Sequence, residues 1–196
     1  MKKLLLCTLL LIGVTTPALA NNAEKHTPSG EMIVAHTGMR QVRIQELFKT
    51  GAMSVSLMKL SHQQMNVALE KKDHSEVEKA LETFQTAYEL QKDSMQTLQK
   101  MSTHMGEHLK AIQAGTLKMT PAQTGAFEKE VALFTQRVEA FHTDCHDNVR
   151  PQNQAMRNNA LNFLMLDFAE AQKSEQADKM VHIAHIMKLL PPFKPR

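Results

Sequence analysis

The chain has 196 residues, a formal net charge of +3 and two cysteines, one of which lies within residues 1–20. Mixed charges that nearly cancel argue against nucleic acid as the main partner. Glycine, proline and aromatic residues are few, and this composition favours long helices over sheets. Because only one cysteine lies beyond residue 20, no internal disulfide can form there, and a packed core must supply the stability.

Residues 1–20 have the pattern of a secretory signal peptide. Lys2 and Lys3 precede a short apolar run, and the small residues Ala18 and Ala20 suit cleavage after Ala20. This run is shorter than the roughly 20 residues that span a bilayer, and no later run is long enough either. We therefore expect an exported protein without a transmembrane segment, most simply in a bacterial periplasm. Loss of the two lysines lowers its formal net charge from +3 to +1.

Beyond the signal peptide, the sequence predicts three segments of different character. Residues 21–38 are expected to form a flexible leader, residues 39–190 a helical bundle, and residues 191–196 a proline-rich tail that is not helical. Apolar side chains recur in alternating steps of four and three residues from Met39 to Lys72. This spacing is typical of a long amphipathic helix that packs against other helices.

The later helices are predicted from their start and stop signals. A capping-box spacing starts a second helix at Ser75, and a Thr120 cap followed by Pro121 starts a third. Pro151 is expected to end the third helix, since proline disfavours helical geometry at the residue before it. A fourth helix follows, and a last one covers 178–190. The predicted fold is all-α: an antiparallel bundle of four, or alternatively five, long helices.

Methionine and histidine residues meet at helical spacing in two places. His62 lies on the apolar seam of the first helix beside Met58, so it is either a histidine at the seam's edge or a metal ligand. In the second helix, a one-sided row at i, i+3, i+4 and i+7 comprises Met101, His104, Met105 and His108. Thioethers and imidazoles are ligands that copper prefers, so this row is a candidate metal site. An apolar edge flanked by two surface histidines is the alternative.

The main candidate site lies at the end of the third predicted helix. His142, Cys145 and His146 are three and four residues apart, so they share a helical face. Imidazole and sulfur groups there could hold haem or copper. Counting residues outward from the helix turns places polar and sulfur-bearing positions of three helices in one layer near one end of the bundle. These positions are Met58, His62, Tyr88, Gln91, His142, Cys145 and His146, with Met156 at the same level.

The sequence His-Thr-Asp-Cys-His-Asp-Asn-Val-Arg at residues 142–150 resembles the end of a cytochrome c-prime chain. That family closes a four-helix bundle with Cys-x-x-Cys-His and a nearby arginine. The resemblance implies that Cys145 is the second cysteine, His146 the axial haem ligand and Arg150 the late arginine. His142 stands where the family has its first cysteine, and 46 residues follow Arg150. The resemblance therefore implies one thioether bond through Cys145, or haem held without a covalent bond as in four-helix b-type cytochromes.

Two function classes follow from these residues. The first is a periplasmic binding or electron-transfer protein that holds haem or copper through His142 or His146 and through Met58 or His62, with a redox partner. The second is a cofactor-free envelope protein, such as a chaperone, stress protein or secretion component, because methionine-rich faces suit varied protein partners. An enzyme is the least supported class, since the sequence has no recognisable catalytic triad, phosphate loop or carboxylate pair.

Overall fold

A computed structural model describes residues 37–191, which form four α-helices and no β-strand. The helices are α1 (Thr37–Glu70), α2 (His74–Gln113), α3 (Pro121–Lys173) and α4 (Ala177–Lys188). The all-α prediction is confirmed for this part of the chain. The signal peptide, nearly all of the predicted leader and the tail beyond Pro191 lie outside the described residues. None of the described helices has an apolar stretch long enough to cross a membrane.

Helices α1 and α2 form a close antiparallel hairpin. Its contact rows carry small buried residues at seven-residue spacing, which lets the two backbones approach closely. The Ser61 hydroxyl even donates a hydrogen bond to the Ala80 carbonyl oxygen of the opposite helix. The turn is set by Asp73, whose side chain accepts a hydrogen bond from the Glu76 amide and so caps α2. The small residues are Ser54, Ser61 and Ala68 in α1, with Ala80, Ala87 and Ser94 in α2.

Helix α3 lies parallel to α1 and antiparallel to α2, and its 53 residues span the whole bundle. Arg40 of α1 forms an ion pair with Glu130 of α3 at 3.0 Å. Eleven residues further along both helices, the Phe141 ring lies on Gly51. Each residue of α1 therefore lies at about the level of the α3 residue numbered 90 higher.

The predicted helix boundary at Pro151 is wrong, because α3 continues through this proline. Proline removes one helical hydrogen bond, but buried residues on both sides anchor the same helix to the core. Val149 and Met156 flank the proline in the apolar seam, whereas Pro151 itself points outward and is exposed. The buried seam, which begins at Phe127, keeps its helical spacing from Cys145 through to Leu164. The third and fourth predicted helices are therefore one helix, and the bundle has three long helices and one short one.

The core has two parts that lie at opposite ends of the bundle. Near the α1–α2 turn, four helices enclose a core that includes Phe84, Leu164 and Ile183 of α2, α3 and α4. At the other end, α1, α2 and α3 are the only described helices, and they enclose a more aromatic core around Phe134. Phe48 meets Phe134 edge to face, with ring centroids 6.4 Å apart. Helix α4 therefore adds a fourth helix over only part of the length of the bundle.

Candidate functional site

A cleft of about 1100 Å³ lies between α2 and α3. Its floor includes Met95, Cys145 and Val149, which are buried in the core. Its walls carry amides, imidazoles and cationic groups. The wall residues include Gln91, Lys92, Gln96, Gln99, His142, His146, Asp147, Arg150, Asn153, Gln154 and Arg157, together with Tyr88 and Pro151.

The cleft begins where the fourth helix stops. Helix α4 turns back along α3 and ends at Lys188, and the chain then reaches Pro191. The Arg157 guanidinium donates a hydrogen bond of 2.6 Å to the Pro191 carbonyl oxygen, so this arginine lies at the boundary between α4 and the cleft. Beyond this point no described helix covers the α2–α3 face. The cleft thus occupies the position that a longer fourth helix would fill.

The hydrogen bonds of His146 define its tautomer. The Arg150 guanidinium can only donate, so at 3.2 Å the Nε2 atom of His146 must accept. The neutral ring then carries its proton on Nδ1, which lies 3.1 Å from Oδ1 of Asp147 and donates to it. A carboxylate that holds one ring nitrogen in this way is the usual support of a histidine that ligates metal through the other. The Nε2 lone pair points to a cationic group that a ligand could displace.

The Cys145 thiol lies in a buried environment. Its side chain is 6% exposed. Burial raises the pKa of the Cys145 thiol above its ordinary value, a hydrogen bond with Gln91 opposes this rise, and the nearby Asp144 charge adds to it. The thiolate is therefore disfavoured at neutral pH, and nucleophilic chemistry at this position is not favoured.

The cleft carries more positive than negative charge. Arg150, Arg157 and Lys92 line it, against the single carboxylate of Asp147. Lys92 is already paired with Glu89 at 2.8 Å, so the two arginines supply most of the uncompensated charge. Arginine presents a planar fork of donors that matches a carboxylate or phosphate group. The electrostatics therefore favour an anionic ligand.

The cleft brings together most members of the predicted layer. Tyr88, Gln91, His142, Cys145 and His146 all line it, with the two histidines exposed at its mouth and the cysteine in its floor.

The other three members lie elsewhere. Met58 is 1% exposed and buried in the core about one turn away from Cys145 along the bundle. His62 lies about 10 Å along the axis from Cys145, since seven residues separate their levels. The continuous α3 carries Met156 still further away, at about the level of Met65.

The predicted row at residues 101–108 is divided between the core and the solvent. Met105 is 3% exposed, and Met101 is half-buried against the same core. The His104 side chain is 74% exposed, and its Nδ1 atom lies 3.4 Å from the Glu107 carboxylate. His108 is half-buried, and burial together with the charges of His104 and Arg40 lowers the pKa of its ring. The two thioethers therefore lie on the core side of α2, whereas His104 lies in solvent.

A cluster of histidines and carboxylates that was not predicted from the sequence lies where α2, α3 and α4 meet. His74 of α2 lies 2.8 Å from the Asp167 carboxylate of α3. His182 and His185 of α4 approach the Glu78 carboxylate of α2 at 3.9 and 3.3 Å. The four-residue step from His74 to Glu78 and the three-residue step between the α4 histidines were available signals. Only the fold, however, shows that these two pairs face each other.

The described residues contain no group of three or more His, Cys, Asp or Glu side chains arranged to hold a metal ion. The fold and the cleft define a helical-bundle protein with an open, basic cleft between α2 and α3. Comparison with protein-family models, with curated proteins and with solved structures gives no match.

Proposed function

We propose that the protein is an exported helical-bundle binding protein whose α2–α3 cleft holds haem. The observation that carries this proposal is the cleft itself, where two histidines and two arginines surround an apolar floor. Haem has the matching chemistry: an apolar ring, two carboxylates and an iron that accepts imidazole. The α2–α3 cleft of about 1100 Å³ is slightly larger than the usual range of ligand pockets. The signal peptide predicted at residues 1–20 supports export to the periplasm.

Each group of the cleft has a place in this assignment. His146 would ligate the iron through Nε2 while Asp147 holds its Nδ1 proton, and His142, one turn earlier, is the other candidate ligand. Arg150 and Arg157 would bind the carboxylates. Because Cys145 is buried, we favour non-covalent haem over a thioether bond. Bound haem would supply a one-electron redox centre, which is consistent with electron transfer or with haem carriage.

The test uses the mature chain from residue 21 onwards, purified without cofactor and titrated with ferric haem. We expect a stoichiometric shift of the Soret band, and we expect His146→Ala to change that spectrum and weaken binding at least about tenfold, which is 1.4 kcal/mol. His185→Ala is the matched control, since His185 is a similarly exposed histidine that lies on α4 and not in the cleft. Arg150→Gln should weaken binding without changing the spectrum of the saturated protein.

Three outcomes would reject the haem assignment. They are the absence of a Soret shift, a shift that His146→Ala and His142→Ala both leave unchanged, and equal effects of His146→Ala and the His185→Ala control. Parallel titration with Cu(I) tests copper, for which Met101, His104, Met105 and His108 are the predicted ligands. A chain that binds neither would favour the cofactor-free envelope protein that its methionine content also predicts.

A further inference from the structure

Helix α1 carries a second apolar row, on the side that faces away from the core. Met53, Leu57, Leu60 and Val67 are 57%, 39%, 50% and 48% exposed. Steps of four, three and seven residues place them along one line of the helix, and only Gln64 interrupts the line. Leu90 of α2 is 45% exposed and lies beyond the contact row of Ala87, on the same outer face of the hairpin. We call this surface the outer row.

The outer row is long and regular, unlike scattered surface leucines. Its spacing is that of a coiled-coil seam and spans about 20 Å at 1.5 Å per residue. A helix with apolar side chains on two opposite faces is expected to be covered on both. Helices α2 and α3 cover the inner face of α1, and none of the described helices covers the outer row.

We propose that the outer row is a self-association surface on which a second copy of this chain docks with its α1 antiparallel. The charges beside the row carry the choice of occupant. Lys49, Ser56, Gln63 and Glu70 follow one flank at seven-residue spacing, and all four are exposed. This flank is therefore basic at one end, acidic at the other and uncharged between. On the line of the row itself, exposed Glu46, seven residues before Met53, and exposed Lys71, four residues after Val67, carry the opposite charges beyond its two ends.

This charge pattern is self-complementary about a two-fold axis near Leu60. In an antiparallel pair, Lys49 of each copy meets Glu70 of the other, while Leu57 packs near Leu60 of the other copy. A parallel pair would instead place Lys49 beside Lys49 and Glu70 beside Glu70. Four half-exposed apolar side chains per copy make a small interface, so we expect a dissociation constant on the order of 10 µM.

The outer row lies on the opposite side of α2 from the ligand cleft, since Tyr88 lines the cleft and Leu90 belongs to the outer row. Association would leave the cleft open. Self-association and haem binding therefore use different surfaces, and loss of one should leave the other unchanged.

The test is sedimentation of the mature chain across the micromolar concentration range. We expect a monomer–dimer equilibrium that Leu60→Lys weakens at least about tenfold. Leu166→Lys is the matched control, because Leu166 of α3 is 73% exposed and lies outside the outer row. Far-UV circular dichroism checks that both variants stay helical, so loss of association cannot be mistaken for unfolding.

A charge exchange tests the antiparallel arrangement. Lys49→Glu should weaken the dimer, and the double variant Lys49→Glu/Glu70→Lys should restore it, because the two charges then meet in reversed order. A chain that is monomeric at every concentration overturns the proposal, including the case in which residues 21–36 of the same chain cover the row. A dimer unaffected by Leu60→Lys, or one that the double variant does not restore, overturns it as well.

Discussion

The two ends of the bundle use the same helices α2 and α3 but differ in what lies against them. Near the α1–α2 turn, α4 fills the fourth position, and its Ile183 and Ile186 are fully buried. At the other end no described helix fills the fourth position, and the α2–α3 face there carries glutamines, histidines and arginines. The side chains change character at the level where α4 ends. Around the apolar floor of Met95, Cys145 and Val149, the sequences of α2 and α3 therefore place polar side chains where a further helix would need apolar ones.

The comparison also separates residues that stabilise the fold from those that define the cleft. At the four-helix end, polar groups pair with each other across helices, as His74 does with Asp167. In the cleft, the polar groups are directed toward a shared space, and Arg150 and Arg157 bring charge without matching carboxylates. Substitutions at the two ends should therefore differ in kind, the first affecting stability and the second affecting binding.

The largest effect is expected from Phe84→Ala at the four-helix end. Phe84 is fully buried, and its removal leaves a cavity that four packed helices cannot close, so we expect a loss of about 4 kcal/mol in the free energy of unfolding. Phe134→Ala at the three-helix end should cost less, about 3 kcal/mol, because three helices can close around the gap more easily. Urea denaturation of both variants provides the measurement.

Equal losses for the two phenylalanine variants would mean that both ends are equally rigid. The slope of the urea transition serves as the control, since an unchanged slope shows that the two variants unfold from comparable states.

A smaller effect is expected where Gly51 of α1 lies against Phe141 of α3. A Cβ atom on Gly51 would lie 2.3 Å from Cζ of Phe141, so Gly51→Ala must displace that ring. Overpacking outweighs the gain in helix propensity, and we expect a net loss of about 1 kcal/mol. Gly106→Ala is the control, since no atom lies within 4 Å of that Cβ position and the variant should be about 0.5–1 kcal/mol more stable. Thermal unfolding that ranks the two variants in the opposite order would contradict the observed packing.

Much of the fold could be predicted from apolar spacing alone. The α1 and α2 seams and the Thr120 cap follow from local pattern, because spacing and capping are local properties. The error at Pro151 arose from giving a local rule priority over the seam, which continues through Val149 and Met156. The short α4 was predicted as a segment, but its place beside the first half of α2 depends on the length of α3.

The candidate site was predictable only in part. Cys145, Gln91 and Tyr88 are brought together by antiparallel register, which can be counted outward from the turn. His62 was set in the same layer because counting from two successive turns accumulates an error of about two helical turns. The arginines were missed as a group, since only the place where α4 ends makes Arg150 and Arg157 line the same space.

The ion pair between Arg40 and Glu130 joins α1 to α3 at the three-helix end and is expected to stabilise the fold less than the buried phenylalanines do. Both oxygens of Glu130 accept hydrogen bonds from the Arg40 guanidinium, at 3.0 to 3.2 Å, and both side chains are less than 20% exposed. Glu130→Gln should cost about 1 kcal/mol in the free energy of unfolding, and the cost should change little with salt. Glu89→Gln, which breaks the exposed pair with Lys92 away from the ends of α2, should have no measurable effect in the same urea titrations. Equal effects would mean that the Arg40 pair is no better shielded from water.

The smallest effect expected is a pH dependence from His62 of α1. Burial lowers the pKa of His62 below its ordinary value of 6.5, and its Nε2 atom has no hydrogen-bond partner among the described residues. As the pH falls through 6.5, the unfolded chain takes up a proton at this ring more readily than the folded chain. The folded state therefore loses stability below that pH, and the loss is complete once the folded ring is also protonated.

His62→Leu should remove this part of the acid sensitivity. The other histidines are present in both proteins and cancel when the free energies of unfolding of wild type and variant are subtracted at each pH. A difference that stays constant between pH values above and below 6.5 would show that His62 titrates alike in the folded and unfolded chains.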